Sequence, residues 1–261
     1  MSVIIALMKI IPDYTILFCD DDIVVLNKKS GLLTAADKYD AASPRLDLSA
    51  QKKLGVLHAV HRIDSAASGV VIYARNKEAA SFLAKEFDEK RAKLSYHALV
   101  NGRVMWEEER VSLKLLADGD DKHRTQANSK YGKPCMTDFS VLARTGSYTW
   151  LLAKSQVDRA HQIRVHLKSL GLSVVCDSIY GANQKGVFLS EIKRAWNGDE
   201  EKERPLLSRL ALHAYSLTIA HPVTREEMTF VAPYWKDMDA LRKQLEKIYG
   251  EDPLKQKASQ F

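Results

Sequence analysis

The stretch "HRIDSAASG", residues 61–69, contains the carboxylate with the clearest capacity for chemistry. Asp64 follows His61 and Arg62, and it precedes a run of very small residues that leads into the apolar segment Val70–Ile72. The acid of a surface ion pair needs no small neighbours, whereas a nucleophile that a substrate must approach closely does. We therefore predict that Asp64 is a nucleophile at a loop-to-strand junction, with small residues leaving open space around it.

A basic segment, "DRAHQIRVHLKSLG" over residues 158–171, is the second candidate. An apolar i, i+4, i+7 stripe that begins at Ile163 predicts a helix, with Asp158 as its N-cap and a stop at the final glycine. Gln162 and Arg164 flank the first residue of the stripe, so we expect both to point toward a cleft. A solvated basic face is the alternative. The basic side chains of the segment are Arg159, His161, Arg164, His166 and Lys168.

Tyr96 lies in "KLSYHALVNG", where it alternates with Leu94, Ala98 and Val100. This period of two predicts a half-buried strand. A core aromatic whose hydroxyl is satisfied at the rim explains the tyrosine equally well.

The composition describes an ordinary globular protein of 261 residues, with 46% hydrophobic and 28% charged side chains. The formal net charge of +6 is compatible with a polyanionic partner but does not require one. Three widely spaced cysteines favour a reducing compartment, and the apolar start "MSVIIALMKII" is too short to span a bilayer. We expect a cytoplasmic protein without membrane contact.

The sequence contains no motif for binding a metal ion or a nucleotide cofactor. The pairs His58/His61 and His161/His166 lack HExxH or HxE…PCxxC companions, so no metal site is predicted. GxxxxGK[ST], GxGxxG and GxSxG are absent as well. We predict no cofactor.

The order of elements predicts an α+β fold, with a mixed, mostly antiparallel sheet, flanking helices and a central cleft. Two short strands surround the acidic turn at residues 20–22, and a helix with Asn76 as N-cap follows the strand after Asp64. A β meander then occupies residues 103–157. We expect an N-terminal arm at 1–13, one domain at 14–238 with an exposed charged insertion at 183–207, and a C-terminal helix and tail at 239–261.

Four separated segments resemble the RluA-type RNA pseudouridine synthases. "HRIDSAASG" is similar to their HRLDxxTSG motif, and "KLSYHALVNG" resembles their strand with the active-site tyrosine. "DRAHQIRVHLKSLGLSVVCDSIYG" and "RLALHAYSLTIAHPVTREEMTFVAP" are similar to two later motifs, in the same order. The resemblance covers roughly residues 14–238 and includes no separate S4-type domain.

The resemblance implies a role for each matching residue. Asp64 takes the place of the catalytic aspartate, and Tyr96 that of the tyrosine that packs against the target base and is proposed as a base. Arg164 falls at the arginine that pairs with the catalytic carboxylate, and Arg62 at the arginine that fills the stack where the flipped base was. We add His61, Arg159, His161, Gln162 and the loop Lys122-His123-Arg124 as candidate RNA contacts.

These parallels predict a cofactor-independent enzyme that isomerises uridine to pseudouridine in rRNA or tRNA after base flipping. We expect a monomer that acts on RNA and not on DNA. A non-catalytic RNA-binding protein on the same fold is the main alternative, and a two-carboxylate glycosidase is a weaker one.

Four positions depart from the family pattern. Ala67 replaces a threonine, Asp158 a glycine, Ala160 a threonine or serine, and Lys29 a proline. They leave Asp64, Tyr96 and Arg164 in place, so we expect activity, and they indicate a branch with its own substrate.

Overall fold

The structure is a computed structural model that describes residues 13–37, 40, 42–122, 124–155, 159–181 and 185–255. The described helices are α1 (Leu46–Leu54), α2 (Lys77–Asp88), α3 (Gln162–Ser169), α4 (Leu189–Ile192) and α5 (Lys236–Tyr249). The described strands are β1 (Tyr14–Cys19), β2 (Ile23–Lys28), β3 (His58–Ala59), β4 (Ser68–Ala74), β5 (Lys93–Asn101), β6 (Glu108–Leu116), β7 (Gln126–Ala127), β8 (Lys133–Thr145), β9 (Tyr148–Ser155), β10 (Leu212–Ala220) and β11 (Glu227–Val231).

The chain divides into two compact units. Unit 1 comprises Met1–Ala92 and Ala214–Pro233, and its strands follow the order β1-β2-β4-β10, with β11 beside β10 and β3 beside β4. Strands β2 and β4 are buried along their whole length, which explains why residues 23–26 and 70–74 are continuous apolar runs rather than alternating ones.

Unit 2 comprises Lys93–His213 and Tyr234–Phe261. Its sheet has the order β5-β9-β8-β6-β7, with antiparallel pairing throughout. Helix α3 packs on β6 and β8, and helix α5 contacts β8. Trp150 on β9 is fully buried and stacks on Tyr234 at 5.7 Å between ring centroids, which places a large aromatic pair in the core of this unit.

The predicted α+β class with a largely antiparallel sheet is confirmed. The predicted strands around the acidic turn, the meander of β6, β8 and β9, the short helix before the charged loop and the closing pair β10–β11 are all present. Asn76 caps α2, because its side-chain oxygen accepts a hydrogen bond of 2.8 Å from the Ala79 N–H.

Three expectations differ from the structure or lie beyond it. The second predicted helix begins only at Gln162, and its N-cap is His161 in a left-handed conformation (φ 55°). The expected cap Asp158 lies outside the described residues, as do residues 1–12 of the arm and 256–261 of the tail. Helix α1 was not predicted. None of the described helices is long and apolar enough to cross a bilayer.

Candidate active site

Asp64 opens a tight turn just before β4. Its carbonyl oxygen accepts a hydrogen bond of 3.1 Å from the Ala67 N–H, and the side chain is half-buried. The preceding residue, Ile63, is buried and bonded through its N–H to the Thr34 hydroxyl at 3.3 Å. The predicted loop-to-strand junction is therefore present, and the backbone on both sides of Asp64 is fixed.

The segment from Lys28 to Gly31 holds the turn in place. The Lys28 ammonium is fully buried and donates hydrogen bonds to the carbonyl oxygens of Ser65 (3.0 Å) and Ala67 (2.7 Å). The Ser30 hydroxyl donates to the Ala66 carbonyl at 2.6 Å, and the Gly31 N–H donates to that of Ser65 at 2.8 Å. All three carbonyls that follow Asp64 are thus anchored. Because carbonyl oxygens surround it, the buried ammonium is solvated by protein instead of water.

Lys29 replaces the proline of the motif that this segment resembles, and its backbone makes a structural hydrogen bond. Its N–H donates a hydrogen bond of 3.0 Å to the carbonyl of Asp13. A proline has no N–H, so it could not make this bond. The lysine side chain itself is exposed.

The small residues after Asp64 pack inside unit 1, which corrects part of the prediction that they leave open space. Ala67 and Ser68 are fully buried. A Cβ on Gly69, whose φ is +119°, would lie 2.1 Å from the backbone oxygen of Ala214. Only glycine permits this close approach of two backbones. Ser65 is exposed and Ala66 half-exposed, so they remain at the surface.

His61 ties the Asp64 segment to the sheet. Its Nε2 accepts the Ile72 N–H at 3.0 Å, just beyond the short pairing of β3 with β4, and its ring stacks on Phe87 at 4.6 Å. Burial lowers the pKa of His61 to about 4, so the ring is neutral near pH 7. Because Nε2 accepts, the proton lies on Nδ1, which is buried with no partner among the described atoms.

Arg62 points away from this packing. Its side chain is 65% exposed and lies 3.7 Å from the Asp37 carboxylate, a distance and an exposure typical of a weak surface ion pair. The side chain can therefore leave Asp37 at small cost.

In unit 2, Arg164 forms a buried pair with Asp177. Its Nε and Nη2 groups donate two hydrogen bonds of 2.8 and 2.7 Å to the two oxygens of Asp177, and both side chains are at most 2% exposed. Burial alone would raise the pKa of Asp177, but the bonds and charge of Arg164, with the N–H groups of Tyr180 and Ile179, lower it overall. The carboxylate stays ionised and fixes the plane of the guanidinium.

Tyr180 completes the support of Arg164. Its ring lies 5.1 Å from the guanidinium carbon, and its hydroxyl donates to the carbonyl and accepts from the N–H of Thr125, at 3.0 and 2.9 Å. His161 Nδ1 lies 3.0 Å from the same hydroxyl. Asp177 and Tyr180 were quoted only as part of a motif and given no role. The signal that could have identified them is the DxxY spacing, which lets one turn present both groups.

Gln162 departs from the prediction that its polar group faces a cleft. Its amide nitrogen lies within hydrogen-bond distance of the Met136 carbonyl and the hydroxyls of Thr137 and Ser155, and the side chain is 2% exposed. Its amide oxygen accepts the Arg159 N–H at 3.2 Å. The residue thus anchors the start of α3 to the sheet.

The remaining candidates occupy different environments. Tyr96 lies on β5 opposite Ala153 of β9 and is 4% exposed. The prediction of a half-buried strand is wrong, because β5 is buried on both faces from Leu94 to Val100. Arg159 is partly exposed, and its Nε is buried without a partner among the described atoms. In the proposed RNA-contacting loop, Arg124 pairs with Asp120 at 2.6 Å, while His123 lies outside the described residues.

One group of potential metal ligands occurs among the described residues, at Asp20, Asp22 and His221. Asp20 accepts the N–H groups of Asp22 and Ile23, both at 2.8 Å, and its other oxygen lies 2.9 Å from His221 Nε2. Asp22 accepts from the Asn76 amide. These bonds connect β1, β2, α2 and β10, so the group is explained as structural.

Comparison with known proteins agrees with the fold and the motifs. The family model described as RNA pseudouridylate synthase matches residues 22–169. The dual-specificity RNA pseudouridine synthase RluA of Pasteurella multocida is 32% identical over 227 residues, which cover 85% of this chain and 94% of that protein. The RluA of Escherichia coli is 32% identical over 223 residues, with the same coverage.

Solved structures show the same fold at lower identity. Human RNA pseudouridylate synthase domain containing 4 aligns with a TM-score of 0.68 at 22% identity, over 88% of this chain and 92% of that one. Human RNA pseudouridylate synthase domain containing 1 aligns at 0.62 and 23%, over 90% and 95%.

The fold and its motifs therefore define an RNA-modifying isomerase. The chain belongs to the RluA-type RNA pseudouridine synthases, and it is an RNA pseudouridine synthase.

Proposed function

We propose that Asp64 is the catalytic carboxylate of this enzyme and that Tyr96 and Arg164 serve the same reaction. The observation that carries the proposal is the fixed turn at Asp64. Its three following carbonyls are anchored by Lys28, Ser30 and Gly31, so the side chain starts from a rigid backbone. A reacting group held in this way loses little entropy when the substrate binds.

The reaction requires one bond to break and another to form. The N1–C1′ glycosidic bond of uridine breaks, the base rotates, and C5 joins C1′; the C5 proton is lost and N1 takes up a proton, so that the product is an isomer of the substrate. An ionised Asp64 would attack C1′, attack C6 or remove the 2′ proton, and these three routes remain open. No redox change occurs, and a carboxylate suffices for each first step.

Arg62 and its neighbours have separate tasks in this proposal. A uridine within structured RNA must be flipped out, at a cost of a few kcal/mol. The exposed Arg62, held only weakly by Asp37, is suited to fill the vacated stack. Arg159 and His161 supply polar contacts beside α3. His61 and Gln162 act by holding Asp64 and α3 in position, as their hydrogen bonds indicate.

For the substrate we propose rRNA or tRNA, in the cytoplasm, with the enzyme acting as a monomer. The relatives from Pasteurella and Escherichia are named dual-specificity synthases, which supports a choice of more than one RNA. The three cysteines are free thiols, as a reducing compartment would maintain them.

The test is release of tritium from [5-³H]uridine-labelled rRNA and tRNA, because the C5 hydrogen is lost when C5 bonds to C1′. Purified enzyme should release tritium from at least one of the two RNA classes, and mapping of pseudouridine would then identify the position. Binding without release from any RNA would favour the non-catalytic alternative and contradict the proposal.

A further inference from the structure

We propose that the turn at residues 128–132, between β7 and β8, together with Lys133 at the start of β8, is an accessory RNA-binding surface on which Tyr131 stacks an unpaired base of the RNA substrate. The proposal rests on the assigned RNA substrate and adds a contact outside the catalytic residues. Tyr131 is 65% exposed, and its flanks are Lys130 and Lys133, both exposed.

The backbone of the 128–132 turn is rigid before any ligand binds. The Asn128 side-chain oxygen accepts the N–H groups of Lys130 and Tyr131 at 3.0 and 2.9 Å, and the Asn128 carbonyl accepts the Gly132 N–H at 3.0 Å. A Cβ on Gly132 would lie 2.4 Å from that carbonyl, so the turn requires glycine. A chain that folds this tightly around an exposed aromatic ring presents the ring in one place, which lowers the entropy lost on binding.

The charges around Tyr131 favour a polyanion. The Lys130 ammonium lies over one face of the Tyr131 ring, 4.8 Å from its centre, so a base would stack on the other face with this positive charge close by. In the described part of the chain, neither Lys130 nor Lys133 takes part in an ion pair. By contrast, Arg110 on β6 pairs with Asp138, and Arg124 in the loop before β7 pairs with Asp120.

The size of the surface distinguishes RNA from a protein partner. One exposed ring with two lysines is far smaller than the roughly 800 Å² that each side of a stable protein complex buries. Base-on-aromatic stacking with nearby phosphate contacts needs no larger area, and it is the usual mode for unpaired RNA. The surface therefore fits a nucleotide of a loop or bulge.

Binding of a fluorescein-labelled, single-stranded 12-nucleotide RNA, measured by anisotropy, tests the proposal without turnover. Tyr131→Ala should weaken binding about tenfold, the scale of one base–aromatic stack. Tyr131→Trp should keep the affinity and add a tryptophan signal, relative to wild type, that the RNA quenches. Equal affinity of Tyr131→Ala and wild type, or no added quenching, would overturn the proposal.

Salt dependence separates local phosphate contacts from bulk charge. The double variant Lys130→Ala/Lys133→Ala should lower the slope of log K against log salt by about 1.4, since each single-strand phosphate contact contributes about 0.7. Lys52→Ala/Lys53→Ala on α1 removes the same charge from an exposed site and should leave the slope unchanged. The same change of slope in both double variants would show a bulk effect and contradict the proposal.

The tritium-release assay, run on the same protein preparations, distinguishes failure of this proposal from failure of the catalytic assignment. Release by wild type together with equal oligonucleotide binding by Tyr131→Ala would overturn the stacking surface alone. Tyr131-dependent binding without release from any RNA would support the surface and contradict the catalytic assignment.

Discussion

Arg164 and Asp177 form a planar, two-bond ion pair inside unit 2, with distances of 2.8 and 2.7 Å and almost no exposure to solvent. The two hydrogen bonds fix the orientation of the guanidinium. Because a buried charge that loses its partner is strongly destabilising, the pair stays formed. Two of the five N–H donors of Arg164 bind Asp177. We infer that this pairing orients the three remaining N–H groups of the guanidinium.

Arg164→Lys should reduce turnover far more than RNA affinity. A lysine keeps the charge but cannot reproduce the fork, and a misplacement of about 1 Å can cost about 100-fold in rate. At 2% exposure, Arg164 has no surface with which to bind an outer phosphate. Single-turnover tritium release and Kd, measured side by side, check this.

The matched control is Arg209→Lys, since Arg209 makes the same kind of two-bond pair with Asp237 in the same unit, at 2.7 and 2.8 Å. It should lose stability without a comparable loss of turnover. If Arg164→Lys lost affinity and kept its rate, Arg164 would be a phosphate contact and the assignment would be wrong.

Lys28→Met should destabilise the protein by about 3 kcal/mol, because it leaves several carbonyls around the Asp64 turn without a donor. The Lys28 ammonium also donates to the Leu32 carbonyl at 2.9 Å, so the loss extends beyond the turn. Urea unfolding followed by circular dichroism measures the effect. Lys29→Met changes an exposed neighbour and should stay within about 0.5 kcal/mol of wild type. Equal stability of both variants would refute the anchoring role of Lys28.

The stability of the protein should fall as the pH drops from 6.5 toward 4. Burial lowers the pKa of His166 to about 4, whereas the unfolded chain has its ordinary value near 6.5. The unfolded state then binds more protons than the folded one in this range, so unfolding becomes easier with acid. His61 shifts in the same direction for the same reason.

His166→Asn isolates one of these histidines. Between pH 6.5 and 4, its free energy of unfolding should fall less steeply than that of wild type, by about 1.4 kcal/mol per pH unit. Urea titrations at pH 8 provide the reference for each protein. Parallel pH curves for the two proteins would show that His166 does not titrate in this way.

Arg62→Ala should leave the free energy of unfolding within about 0.5 kcal/mol of wild type, since the ion pair of Arg62 with Asp37 is long and exposed. It should slow modification of a paired uridine by roughly 10- to 100-fold, reflecting the few kcal/mol of flipping that the arginine would offset. The control is the same stem with the target uridine mismatched, where the loss should be small. An equal loss on both stems would assign Arg62 to general phosphate binding.

Much of the fold could be predicted because local sequence features, such as helix caps and apolar runs, correspond to the elements that form. Asn76 capped α2 as expected, and the apolar runs of β2 and β4 became strands buried on both faces. The start of α3 could not be predicted, because Gln162 is held by the sheet and His161 by Tyr180, which are contacts far apart in sequence.

The residue types of the candidate site could be predicted from the sequence, but the packing and hydrogen bonds that hold those residues in place could not. The small size of Gly69 looked like space for a substrate, yet it serves the approach of the Ala214 backbone. The four carbonyls around Lys28 depend on contacts between segments far apart in sequence, which no spacing reveals, whereas only the DxxY spacing pointed to the Asp177 that pairs with Arg164.

Asp64→Asn provides the most direct test of the catalytic assignment. The change preserves shape and removes the charge, so the anchored turn and RNA binding should persist. Tritium release from [5-³H]uridine-labelled rRNA and tRNA should fall to background, while the wild-type enzyme releases tritium from at least one of them. Release by Asp64→Asn at the wild-type rate would contradict the account.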